Sequence, residues 1–172
     1  DSDVEIIWRP IIVGGVFNAI NPGVYATRAN PVPEKLAYQQ KDLQDWARVA
    51  GLTIGQPPVF PVNSVKAMRG AFFALEHDRL VPYARAVFRR YWGELADISR
   101  DEELRGIVTG TGLDWDAFAS AIASQEYKDR LRETTDELMR RGGFGSPTMF
   151  LDGDDMYFGN DRLDLLKTNL DS

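Results

Sequence analysis

The sequence has no cysteine and a single histidine, His77, among 172 residues. Without cysteine, the chain's own residues can make no disulfide, no thiolate metal ligand and no thiol redox couple. Nor is there an apolar run of the roughly 18 residues that a membrane-spanning helix requires, a basic-then-apolar leader, or a block of like charges. The 26 acidic residues outnumber 20 basic ones, for a formal charge of −6. That balance makes duplex nucleic acid and anionic membranes poor partners. The remaining composition, 44% hydrophobic and 11% aromatic, is that of one ordinary domain, and a cytoplasmic setting is expected. The chain opens on Asp1-Ser2-Asp3 instead of Met, so a segment upstream is expected.

Along the chain, Val4-Glu5-Ile6-Ile7-Trp8 reads as a strand ended by Arg9-Pro10. Residues 14–33, rich in Gly, Asn and Pro, read as an irregular loop. From Glu34 the apolar period becomes helical, with Leu36, Leu43, Trp46, Ala47 and Ala50 on one stripe and Gly51 as the stop. Ser64 is placed to cap a helix bearing Val65, Met68, Phe72 and Leu75. Leu80, Tyr83, Val87, Phe88, Tyr91 and Trp92 form another face, and Ser99 to Glu102 reads as a capping box. Asp114 and Ser124 are further caps; the last helix carries Tyr127, Leu131 and Leu138 and stops at Gly142-Gly143. The expected order is one strand, five or six helices, an antiparallel strand pair over 147–158 turned at Asp152-Gly153, and a closing helix.

The strand pair carries the functional signal. Pro147 heads its first strand after Gly145-Ser146, a place where a cis peptide bond can sit and turn the Ser146 backbone toward a peptide-like ligand. At the other end, Asn160 reads as a helix N-cap followed by Asp161 and Arg162. A helix start offers free N–H groups to a carboxylate, and Asp161 can hold an ammonium group. Each feature also has a purely structural explanation, a strand-starting proline and a capped helix. Together they describe a site for a molecule with a peptide backbone, an α-amino group and an α-carboxylate. Glutathione fits.

With these residues in view, Phe144-Gly145-Ser146-Pro147-Thr148 and Tyr157-Phe158-Gly159-Asn160-Asp161-Arg162-Leu163 resemble the C-terminal signature of the 2-hydroxychromene-2-carboxylate isomerases and kappa-class glutathione transferases. The resemblance extends through Trp8-Arg9-Pro10, Lys41-Asp42-Leu43, Phe60-Pro61, Asn63-Ser64, Phe88 with Trp92, and Gly112-Leu113-Asp114. Pro147-Thr148-Met149-Phe150-Leu151 and Gly159-Asn160-Asp161-Arg162 bring it nearer the isomerases. It implies an α/β, thioredoxin-like fold of the DsbA/kappa type, with a thioredoxin-like part over 1–33 and 143–172 and a helical insertion over 34–142. It implies glutathione as cofactor, held by Ser146, Pro147, Asn160 and Asp161, with Asn30 as a further contact. An aromatic carboxylate substrate of naphthalene-type catabolism, a homodimer and isomerisation by reversible thiolate addition follow from the same resemblance. Arg9, Lys35 and Trp8 are the available residue types for that substrate, together with Phe17 and Phe60. The family's thiol-activating serine belongs to a segment expected upstream of Val4, so no catalytic residue is named.

Two other classes of function stay open on the sequence. One is a kappa-like transferase or DsbA-like oxidoreductase; the other is a non-catalytic binding protein, favoured if the chain is complete. His77 reads as an exposed helix end, and Asp152-Gly153-Asp154-Asp155 as a hairpin turn instead of a calcium loop. No metal site is expected.

Overall fold

The computed structural model describes residues 4–170. Its elements are α1 (Val13–Ile20), α2 (Gly23–Ala29), α3 (Pro33–Val49), α4 (Val65–Glu76), α5 (Leu80–Phe88), α6 (Asp101–Gly110), α7 (Trp115–Ala123), α8 (Gln125–Arg140), β1 (Thr148–Leu151), β2 (Asp155–Phe158) and α9 (Leu163–Leu170). A π-helical turn, Arg89–Gly93, extends α5, and a 3-10 turn, Asn160–Arg162, leads into α9. No helix among the described residues is long and apolar enough to cross a membrane.

The core lies where α4 crosses α5, α7 and α8. Ala74, Tyr83, Leu104, Val108 and Phe118 are sealed from solvent. Phe118 sets its edge against Phe73, ring centroids 5.7 Å apart, and Tyr83 donates its hydroxyl to the Ala67 carbonyl at 3.0 Å. The stripe expected on α8 is correct: Tyr127, Leu131 and Leu138 are buried. So are two of the caps, Asp114 accepting from the Ala117 N–H at 2.7 Å and Ser124 from the Tyr127 N–H at 3.4 Å. Gly142 adopts a φ of +84°, the left-handed residue that ends α8.

Several expectations need correction. Val4–Trp8 forms no regular structure and joins no ladder, and Ile6 and Ile7 stand 64% and 66% exposed. A strand exists only through its partner, and among the described residues the one ladder is the β1–β2 hairpin. Residues 14–33 are not an irregular loop: α1 and α2 occupy most of them. Tertiary contact overrides the glycines there. Val16 is fully buried, the Ile12 N–H donates to Thr135 Oγ1 at 3.1 Å, and a Cβ on Gly15 would press on Ile12 at 3.2 Å. Ser64 occupies the N-cap position of α4, but the side chain that accepts from the Val65 N–H is that of Asn63. The Ser99–Glu102 capping box does not form, because the Ser99 N–H and hydroxyl both donate to Asp97. The α3 stripe is helical as expected yet buries only Ala47; Leu43 and Trp46 each remain 43% exposed.

At the end of α4, Glu76 accepts hydrogen bonds from the Tyr127 hydroxyl and Arg130, whose guanidinium also lies over the Phe72 and Tyr127 rings. Partial burial favours the neutral carboxyl, but these two donors outweigh it and hold Glu76 below its ordinary 4.5. A lowered carboxylate pKa contributes stability that is complete above the unfolded value and is lost as pH falls through the folded one. Glu76→Gln is therefore expected to flatten the decline in stability between about pH 5 and the acid limit, measured by denaturant titration at stepped pH. An acid limb as steep as wild type would rule this linkage out.

Candidate functional site

The hairpin pairs Thr148 with Phe158 and Leu151 with Asp155, and its turn runs through Asp152 and Gly153, as expected. Arg141, from the end of α8, pins that turn. It donates to the Gly153 carbonyl, pairs with Asp154 at 3.3 Å and lies 3.7 Å over the Phe150 ring. Tyr157 is buried, donates to Asp155 at 2.8 Å and accepts from Asn169, which ties α9 to β2. The end of α8 and the helix α9 thus both contact the hairpin.

The Ser146–Pro147 bond is cis; Phe60–Pro61, for which the sequence raised no such expectation, is cis as well. Ser146 is exposed, and neither its backbone nor its hydroxyl has a hydrogen-bond partner among the described residues. An exposed peptide unit with both groups free can pair with the backbone of a peptide-like ligand. The Gly159 N–H donates to the Pro147 carbonyl at 3.1 Å, which joins the proline end of the hairpin to the segment before α9.

Asn160 is not the helix N-cap expected from the sequence. It opens the 3-10 turn, Gly159 takes the cap position, and the Asn160 carbonyl accepts from the Leu163 N–H. Its side-chain amide makes no hydrogen bond among the described residues and is exposed. Asp161 is exposed and lies 3.1 Å from Arg162. Pro147 and Asn160 line one open groove of about 1560 Å³, walled by Leu43, Leu52, Ile54 and Trp92. Asn160 and Asp161 line an adjoining hollow with Tyr38 and Trp46.

The other expected site residues lie elsewhere. Arg9 faces Glu137 at 3.9 Å, Trp8 is 48% exposed on the segment before α1, Asn30 closes α2 and Lys35 sits in the first turn of α3. None of these four lines the groove or the hollow. The groove walls come from α3, the loop after it, and α5 with its π-helical turn; sequence reading saw Leu43, Phe88 and Trp92 only as members of helix faces. Phe88, 63% exposed, lines the groove. His77 is an exposed helix end as expected, its ring stacked on Phe73 and Nδ1 2.8 Å from the Phe73 carbonyl.

A helical body carrying an antiparallel hairpin with a proline at its head, closed by a helix, is consistent with a thioredoxin-type protein, here with an open groove beside that proline. The DSBA-like thioredoxin domain matches residues 1–171, and the chain belongs to that family. It is 31% identical to a 2-hydroxychromene-2-carboxylate isomerase of Sphingobium xenophagum, over 96% of this chain and 82% of that protein. An isomerase of the same name from Pseudomonas putida is 37% identical over 78% of this chain, which spans 64% of that protein's length. Human glutathione S-transferase kappa 1 is 27% identical over 95% of this chain and 76% of its own length. A solved structure of a 2-hydroxychromene-2-carboxylate isomerase superposes with a TM-score of 0.80 at 30% identity, covering 96% of this chain and 79% of that one. The fold and the family expected from the signature residues are therefore correct, and the relatives on both sides are enzymes.

Proposed function

We propose that this chain serves a glutathione-dependent isomerase of the 2-hydroxychromene-2-carboxylate type. The single observation that carries the reading is the free, exposed Ser146 peptide unit before Pro147, whose carbonyl is bonded to the Gly159 N–H just ahead of Asn160 and Asp161, in a chain 31% identical to an isomerase of that name. The residues fit glutathione. Ser146 offers an N–H and a C=O to a peptide backbone, Asp161 a carboxylate to an α-ammonium group, and Asn160 an amide to the neighbouring carboxylate. Once bound, glutathione supplies a thiol nucleophile able to add reversibly to a conjugated ring and so permit bond rotation, leaving the cofactor unconsumed. Leu43, Leu52, Ile54 and Trp92 give the neighbouring groove an apolar wall, which suits a flat aromatic substrate. A setting in aromatic catabolism, a cytoplasmic location, a homodimer, and the division into 1–33 with 143–172 and an insertion over 34–142 all belong to this reading. The second reading, a kappa-like transferase, is favoured by the 27% identity to the human enzyme.

Glutathione binding measured by calorimetry tests the site. Asp161→Ala is expected to weaken binding by about tenfold or more, the worth of a charge-assisted hydrogen bond. Equal binding by the variant removes Asp161 from the site. Turnover of 2-hydroxychromene-2-carboxylate with and without glutathione separates the isomerase from a transferase, which instead consumes the thiol.

A further inference from the structure

The groove is larger than one tripeptide needs. Small-ligand sites occupy about 300–1,000 Å³, and this one reaches about 1560 Å³, so a second molecule has room beside glutathione. Its charges can be assigned one by one. Arg85, Arg89 and Arg90 line it, as do Glu94, Glu102 and Glu103. Arg90 is paired with Glu94 and Glu103, each at 2.6 Å, and Arg89 with Glu94 at 3.4 Å. Glu102 is paired with Arg100 at 3.0 Å. The Arg85 side chain alone among these six has no ion pair, hydrogen bond or ring contact among the described residues. It stands three residues before Phe88 on α5, so the two share a face, and that face borders the groove.

An uncompensated guanidinium next to an exposed aromatic ring, above walls of Leu52 and Trp92, recognises a flat apolar body bearing one carboxylate. We infer that Arg85 is the specificity-determining residue of this groove, docking the carboxylate of an aromatic substrate while Phe88 and Trp92 pack its rings. The assignment rests on the isomerase reading only for the identity of that substrate. It replaces Arg9 and Lys35, which do not line the groove, as the carboxylate partner.

The test uses naphthalene-2-carboxylate and its neutral amide as probes, each titrated against the full chain and followed by tryptophan fluorescence. Wild type is expected to bind the carboxylate about tenfold more tightly than the amide, the size of one charge-assisted contact. Arg85→Gln should abolish that preference, and Arg85→Lys should keep part of it. A preference unchanged in Arg85→Gln, or no binding of either probe by wild type, overturns the assignment. Glutathione titrated by calorimetry distinguishes the other source of a carboxylate: Arg85→Gln should leave its affinity unchanged, and a loss there with probe preference intact would assign Arg85 to glutathione instead. Failure of the isomerase assay with the probe preference preserved would defeat the proposed reaction and leave the Arg85 site standing.

Discussion

Gly70→Ala is expected to lower stability by about 3 kcal/mol, or roughly 6–12 °C in melting temperature for a chain of this size. Alanine ordinarily favours a helix over glycine by about 1 kcal/mol, so the expected sign is opposite to propensity. The reason is packing. A Cβ on Gly70 would lie 2.3 and 2.4 Å from two ring carbons of Phe118 and 2.6 Å from the Tyr83 hydroxyl. Phe118 is fully buried and wedged against Phe73 and Trp115, both ring pairs 5.7 Å between centroids, so it has nowhere to retreat. Phe118→Ala alone should cost about 3–5 kcal/mol through the cavity it leaves. In that background the penalty of Gly70→Ala should shrink, because the ring it strikes is gone, with a coupling of at least about 1 kcal/mol. Denaturant unfolding of the four proteins in the cycle measures it. Additive costs would show that α4 and α7 do not meet through this contact.

The second large effect belongs at the site. Gly159→Ala is expected to weaken glutathione binding by at least about tenfold, as loss of the Asp161 contact does, while costing about 1–3 kcal/mol of stability, the strain of a side chain in backbone territory nearly reserved for glycine. Gly159 sits at φ +103° and ψ 150°, and a Cβ there would lie 2.5 Å from Asp161 Oδ1. The added methyl group thus pushes away the carboxylate proposed to hold the ammonium end of glutathione. It also disturbs the residue whose N–H reaches the Pro147 carbonyl, so both ends of the site are affected by one substitution. Calorimetry for binding and thermal unfolding for stability separate the two consequences. A variant that is destabilised yet binds glutathione as wild type does would show that Gly159 serves the fold alone.

Local chemistry was enough to read the hairpin, its turn, α3 to α8 as a run of helices, and the Asp114 and Ser124 caps. Each depends on neighbours within a few residues: a left-handed turn at Asp152 and Gly153, an aspartate three positions before an N–H, an apolar residue every third or fourth position. The signature around Pro147 and Asn160 was readable for the same reason, since contiguous residues carry it. Reading failed where the deciding partner is distant. Val4–Trp8 has strand composition, but pairing, not composition, makes a strand, and no described strand lies beside it. Gly14 and Gly15 suggest a loop, yet α1 forms because Ile12 and Val16 find a place against α8, more than a hundred positions away. Ser64 and Ser99 look like caps, and competing side chains two residues or fewer away took over or redirected those hydrogen bonds.

The sequence by itself determined the kind of chain this is: cysteine-free, with one apolar face on most of its helices, and with a contiguous motif that names its family. Only the tertiary structure decided which of those apolar and charged residues face a ligand. Leu43, Phe88 and Trp92 carry the same periodicity as the buried Val87 and Leu131, and Arg85 is one arginine among many. Periodicity reports that a face is apolar, not whether another helix covers it. Coverage is a property of how α3, α5 and the hairpin come together, and where they leave a gap the same side chains line a groove instead of a core.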